Sequence, residues 1–398
     1  MIGALLFLVT LGNPAGRAPD AVTITTSRGE ARIPVIRDGV AGPLLAAPLL
    51  AQALRAEISG DSGWYQFTIA RQPFGFVPGI AAYRYNDRLE AMAGTPVVRN
   101  DTLFVPLQFA AEILPARFGE RYQYDPAAGR LTEVGGQPRT VAAPDRLPNG
   151  LRRGHVVTID PGHGGVDPGT HGRYFPRDVT ESTVTLQIGL LLRDELKSRG
   201  IGVIMTRTTD TLIALGDRGR YCTDACDLFV SIHVNSLPPR AADPNRRGFT
   251  TYFLAEAKTE EAARVEQMEN EAIRFEAPSS RDSAQGGLDF ILRDLQLNEY
   301  LRESARLAEL IQAMLGPVQP GGDRGVKQAG FMVLTTAQRP AVLVETGYRT
   351  NQQDARLLTS RNSQRALAAA IADALVAYLL EYERRADASA DSMKRLRP

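Results

Sequence analysis

Three apolar runs of strand length end in residues that can do chemistry, and nothing else in the chain limits its fold so tightly. Val156-Val157-Thr158-Ile159 leads into Asp160-Pro161-Gly162-His163-Gly164-Gly165, Phe229-Val230-Ser231-Ile232 ends on His233, and Ala341-Val342-Leu343-Val344 ends on Glu345. Short runs this apolar suit strands buried on both faces. Between the first two, Glu181 to Arg199 carries Val184, Ile188, Leu191, Leu192 and Leu196 at helical spacing and stops at Gly200; Val203-Ile204-Met205-Thr206 follows as a further strand. Strand alternating with helix predicts an α/β domain, a largely parallel sheet flanked by helices. Such sheets bind ligands outside the carboxyl ends of their strands, where His163, His233 and Glu345 fall.

At 398 residues the chain has room for a second domain. Residues 21–138 read as a small α+β domain of short strands and turns, in which Trp64-Tyr65-Gln66-Phe67-Thr68-Ile69 alternates like a half-buried strand. A weak repeat runs through it. Pro34-Val35-Ile36-Arg37-Asp38 followed by Pro48 to Leu54 parallels Pro96-Val97-Val98-Arg99-Asn100 followed by Pro106 to Leu114, each copy predicting strand, turn, then a helix opened by Pro-Leu. Residues 139–153, in a Pro-, Gly-, Ala- and Arg-rich stretch, read as a linker to a domain over 154–383. Within that domain Lys258 to Phe275 is a charged helical pattern, Ala277 to Gly287 a break, and Leu288 to Leu315 a longer helix. A last helix is expected over Gln364 to Glu383, and a disordered tail over 384–398.

Composition narrows the partners. Forty-six Lys+Arg against 45 Asp+Glu gives a net charge of +1, so no overall basic field favours nucleic acid. Residues 1–20 open with the apolar run Met1 to Gly12, too short to span a bilayer; it reads as a secretory signal without its basic start, or as a buried strand, and export is the expectation. No transmembrane anchor is expected. Cys222 and Cys226 leave a disulfide and two buried thiols equally open, and two thiols cannot build a four-ligand zinc site.

Catalytic zinc needs three nitrogen or oxygen ligands and one exchangeable position. Two histidines and one carboxylate meet that count and leave a second carboxylate free as a base, which predicts a metal hydrolase. Singly, each residue has a plain explanation: His163 as a turn residue, His233 as a core histidine, Glu181 as a capping box with Asp178, Glu345 as an arginine partner. Jointly these become four coincidences. His155 and His171 are not expected to be ligands.

The motifs Ile159-Asp160-Pro161-Gly162-His163-Gly164-Gly165, Glu181-Ser182, Met205-Thr206-Arg207, Asp227 to Asn235, Arg324 to Phe331 and Pro340 to Gly347 occur in this order. Over Gly154 to Tyr382 the chain resembles the zinc-dependent N-acetylmuramoyl-L-alanine amidases of the cell-division type. The resemblance implies a phosphorylase/hydrolase-like fold, one Zn2+ per chain held by His163, Glu181 and His233, and Glu345 as the catalytic carboxylate. It also implies cleavage, by a zinc-activated water, of the amide between N-acetylmuramic acid and L-alanine of the peptidoglycan stem peptide, in wall remodelling or daughter-cell separation in the periplasm. Residues 258–296 resemble the family's regulatory insert, with Glu269, Glu271 and Glu276 as candidate autoinhibitory carboxylates and an activator protein that displaces the insert. Val234, Ser236 and Tyr348-Arg349-Thr350-Asn351 depart from the family pattern without touching a ligand. The second repeat copy, on through Tyr124 to Thr132, resembles the stalk modules of copper amine oxidases, which implies a spacer or wall-binding role. The competing readings are a zinc peptidase acting on the stem peptide, and a non-catalytic wall-binding protein; retention of all four chemical residues speaks against the latter.

Overall fold

A computed structural model describes residues 18–60, 63–86, 88–118, 121–134, 146–147, 149–170, 174–222, 225–238, 243, 245–276 and 295–395. Residues 1–17 of the expected signal segment over 1–20, His171 and the break from 277 to 287 lie outside these residues. The chain divides into two compact units, residues 1–85 with 92–141 and residues 86–91 with 142–398.

The first unit contains β1 (Ala21–Thr26), β2 (Gly29–Asp38), β3 (Gly42–Ala46), α1 (Ala47–Leu54), β4 (Glu57–Gly60), β5 (Tyr65–Ile69), β6 (Gln72–Phe76) and β7 (Ala82–Tyr85). After a short strand β8 (Arg88–Ala91), which groups with the second unit, come β9 (Val97–Arg99), β10 (Thr102–Pro106), α2 (Leu114–Phe118), β11 (Tyr122–Asp125) and β12 (Arg130–Glu133). One sheet runs β11-β12-β1-β2-β3-β10-β9, and β4 to β7 form an antiparallel meander. Both repeat copies have a strand more than expected: a hairpin, then a helix. In the second copy a π-helical turn, Phe109–Ile113, precedes α2. It seats Phe109 edge-on to Phe67, Phe74 and Phe76, at centroid distances of 5.1 to 5.2 Å. These rings are fully buried and fill the unit's core.

The second unit contains β13 (Val156–Pro161), α3 (Glu181–Ser198), β14 (Gly202–Met205), α4 (Leu215–Arg218), β15 (Leu228–Asn235), β16 (Phe249–Leu254), α5 (Glu260–Asn270), α6 (Leu295–Leu315), β17 (Asp323–Ala329), α7 (Met332–Thr335), β18 (Ala341–Tyr348), α8 (Gln352–Thr359) and α9 (Arg361–Arg395). The sheet order is β14-β13-β15-β18-β16-β17, parallel throughout except where β16 runs against β18. Every residue of β15 and β18 is buried, as their apolar sequences require. α3, α6 and α9 pack together on one face of the sheet; α4, α5 and α7 lie on the other, with Phe229, Tyr252, Leu343, Ala262, Val265 and Phe331 in one apolar cluster.

Two expectations are corrected. Within the stretch read as linker, Leu147 is 7% and Leu151 0% exposed, so its described residues include packed chain. α9 continues to Arg395 where disorder is expected after Glu383, because no Gly or Pro interrupts residues 384–395 and Arg385 pairs with Glu303. Cys222 and Cys226 form a disulfide, with Cα atoms 5.1 Å apart.

Candidate metal centre

His163 follows the carboxyl end of β13 in a loop that turns sharply. Its φ is +62°, in the left-handed region a residue with a Cβ rarely adopts, and Gly164 follows at +129°. A pair of backbone hydrogen bonds between Gly164 and Asp167 closes the turn. Asp167 Oδ2 lies 2.8 Å from His163 Nδ1, so that nitrogen donates and Nε2 is left bare. Arg218 donates to the carbonyls of Pro161 and His163, and Arg207 to those of Pro161 and Gly162. Asp160, 0% exposed, anchors the strand end through Thr206, Ser231 and Arg218.

Glu181 is the first residue of α3 and is 0% exposed. It is not part of a capping box with Asp178, because Thr180 is the N-cap and its side chain accepts from the Thr183 amide. Glu181 Oε2 accepts from the amide and hydroxyl of Thr170 at 2.8 and 2.6 Å, and Oε1 from the Val234 amide at 2.9 Å. His233, near the end of β15, pairs in register with Glu345 of β18.

These elements bring His163, Glu181, His233 and Glu269 together, with one ligand-type atom from each lying within 4.8 Å of all the others. His163 Nε2 is 3.1 Å from Glu181 Oε1 and 3.2 Å from Glu269 Oε2; His233 Nδ1 is 2.7 Å from Glu269 Oε2 and 3.6 Å from Glu181 Oε1. All four side chains are buried, yet neither His163 Nε2 nor His233 Nδ1 has a hydrogen-bond partner. Burial disfavours charge on both rings, but Glu181, Asp167 and Glu269 outweigh it and hold His163 well above its usual pKa. Glu269 and Glu181 likewise raise His233 to about 10. The same rings hold Glu181 well below the carboxylate range against its own burial. A site that draws positive charge so strongly, through bare nitrogens and carboxylate oxygens, fits a divalent cation of the zinc type.

Glu345 stands beside this cluster without joining it. It is 1% exposed, neither oxygen has a hydrogen-bond partner, and burial, reinforced by the charges of Glu269 and Glu181, pushes its carboxyl well above the usual range.

The three insert carboxylates separate. Only Glu269, on the last turn of α5, enters the cluster. Glu271 is exposed and takes a hydrogen bond from Gln267, because two residues along a helix turn a side chain to the other side. Glu276 is buried near the cluster but accepts the Leu215 amide at 2.7 Å. His155 lies far from the strands' carboxyl ends, between Asp227 and Glu383. Sequence alone assigns no role to Asp167, Asp160, Arg218 or Arg207, although Asp160 and Arg207 lie within the ordered motifs. Asp167's position four residues after His163 is the one signal that points to it.

Residues 157–377, more than half of the chain and all in the second unit, match the model of a family described as N-acetylmuramoyl-L-alanine amidase. The N-acetylmuramoyl-L-alanine amidase AmiC of Neisseria meningitidis serogroup B is 34% identical over 243 residues, which are 60% of this chain and 56% of that protein. AmiA of Escherichia coli K12, of the same description, is 33% identical over 226 residues, 56% of this chain and 75% of that protein. Among solved structures, the N-acetylmuramoyl-L-alanine amidase from Clostridium difficile 630 is 25% identical, with a TM-score of 0.42, over 57% of this chain and 97% of that one.

Proposed function

This chain belongs to the N-acetylmuramoyl-L-alanine amidase family, and we propose that it is a zinc-dependent hydrolase cutting the amide between N-acetylmuramic acid and the L-alanine of the peptidoglycan stem peptide. The observation that carries this reading is the buried set His163, Glu181, His233 with two bare ring nitrogens, beside an unpartnered Glu345. His163, Glu181 and His233 would hold the zinc. When bound, zinc supplies Lewis acidity, which makes water a nucleophile near neutral pH and steadies negative charge on the amide oxygen.

The chain's own groups do the rest. Glu345 takes the proton of the attacking water and returns it to the departing alanine nitrogen. Its low-dielectric surroundings suit it to hold a proton between those two events. Asp167 fixes the tautomer of His163, and Thr170 with the Val234 amide holds Glu181 in place. Glu269 would take the position that water needs, so α5 acts as a built-in inhibitor until an activator protein draws it away. The Cys222–Cys226 disulfide supports an exported, periplasmic enzyme, since such bonds persist in oxidising compartments. The first unit would serve as a spacer or wall-binding module.

The test is zinc content together with product analysis on purified murein. One zinc per chain and release of intact stem peptides with a new alanine amine are expected. Cleavage inside the peptide would mean a peptidase, and zinc loading with no release in the presence of an α5-displacing variant would mean a binding protein. Glu345→Gln should keep its zinc and lose turnover by about 10²-fold or more; a near-normal rate overturns its role.

A further inference from the structure

The outer end of α5 is held by charges that exceed what holding requires. Glu261, in the first turn of that helix, faces Lys327 Nζ at 2.6 Å, Arg246 Nη2 at 3.2 Å and Arg324 Nη2 at 3.3 Å, and accepts the Tyr348 hydroxyl at 3.1 Å. None of the four donors belongs to α5: Arg324 and Lys327 are on β17, Tyr348 is on β18, and Arg246 precedes β16. Among the described residues no other carboxylate makes an ion pair with these three cations. One anion against three converging cations leaves like charges close together, which is unfavourable in itself. Arg324 Nε also lacks a partner.

From this cluster a line of polar atoms leads back towards Glu345. Thr250 pairs in register with Glu345, and Tyr252, two residues along β16, pairs with Lys327, so Glu345, Thr250, Tyr252 and Lys327 share one face of the sheet. Tyr252 is 0% exposed and its hydroxyl has no hydrogen-bond partner; neither has that of Thr250. α5 covers this face, with Ala262 and Val265 in the apolar cluster that includes Tyr252. Buried, unmatched donors under a removable helix are a cost to the folded chain unless something else uses them.

We propose that Arg246, Arg324, Lys327 and the Tyr348 hydroxyl form a carboxylate-binding subsite for the stem peptide, which Glu261 fills as an internal stand-in while α5 is seated. This rests on the amidase reading, because it takes Glu345 to mark the scissile amide. Two strand spacings and two residues of rise put Lys327 about 12 Å from Glu345 along the sheet. An extended peptide spans about 3.3–3.6 Å per residue. The carboxylate therefore sits three to four residues into the peptide that leaves. Guanidinium and ammonium donors select a carboxylate over its amide, so the subsite distinguishes free from amidated stem peptides.

The experiment is equilibrium binding to the full chain of a stem tripeptide with free carboxylates and of the same tripeptide with every carboxyl amidated. Glu261→Gln removes the stand-in's charge, and should tighten binding of the free-acid peptide by about tenfold or more while leaving the amidated one unchanged. Adding Lys327→Gln should take that gain away. Equal gains for both peptides, or no gain in a variant that melts like the parent, would overturn the proposal. Binding is read without catalysis, so loss of murein cleavage would count against the amidase reading and leave this result to stand separately.

Discussion

Asp167 is not one of the four clustered residues, yet on the proposed zinc reading the affinity for the ion should depend on it. Its Oδ2 is 2.8 Å from His163 Nδ1, its Oδ1 accepts the Gly169 amide at 3.0 Å, and it is 2% exposed. The contact keeps the proton on Nδ1 and aims Nε2 at Glu181. Asp167→Ala removes both functions, and partners of this kind contribute about 10- to 100-fold to metal affinity, roughly 1.4–2.7 kcal/mol. Asp167→Asn keeps the volume and a carbonyl acceptor but exchanges a charge-assisted bond for a neutral one. That difference is about 1 kcal/mol, close to fivefold. Competition for zinc against a chromophoric chelator at neutral pH measures both. The expected order is parent, then Asn, then Ala. Zinc affinities within twofold of the parent for both variants, with the fold intact by circular dichroism, would refute the reasoning, as would an Asn variant weaker than Ala.

Three further outcomes follow from other contacts. Glu269→Ala should raise basal murein cleavage by about tenfold or more, since a charged contact contributes about 1.5–3 kcal/mol; an unchanged rate in a zinc-loaded variant removes Glu269 as the blocking group. Gly162→Ala should weaken zinc binding by about tenfold or more in a folded chain: its Cβ would lie 2.4 Å from His233 Nε2, and the ring must move. His155 is held above its usual pKa by its bond to Asp227, against burial and with help from Glu383. Its stabilising contribution is therefore complete below its unfolded pKa of about 6.5 and fades as pH rises through the higher folded value. The melting-temperature deficit of His155→Gln should be larger at mildly acidic than at alkaline pH; a deficit that grows with pH would reverse the sign and sink the assignment.

The α/β sheet was legible because β13, β15 and β18 are buried on both faces, and a strand without a solvent side must be written in apolar letters. His163, His233 and Glu345 stood out for the same reason, as polar residues ending apolar runs. Glu181 was ambiguous in sequence, since a glutamate at a helix start has a local use; only the fold shows that Thr180 caps α3 and turns Glu181 inward. The insert's carboxylates could be named but not ranked, because helix phase against a distant site depends on how α5 docks, and docking admits Glu269 while turning Glu271 to the surface.

The chain's own letters thus determined which segments are buried strands and which residues end them, since burial and periodicity are local properties. Tertiary structure alone decided that Asp167 orients His163, that Arg218 and Asp160 brace the strand ends, and that Glu261 meets two cations of β17 and one from the segment before β16. Those contacts join residues 4 to 66 positions apart, and no local pattern records an interaction whose partner is set by the path of the sheet.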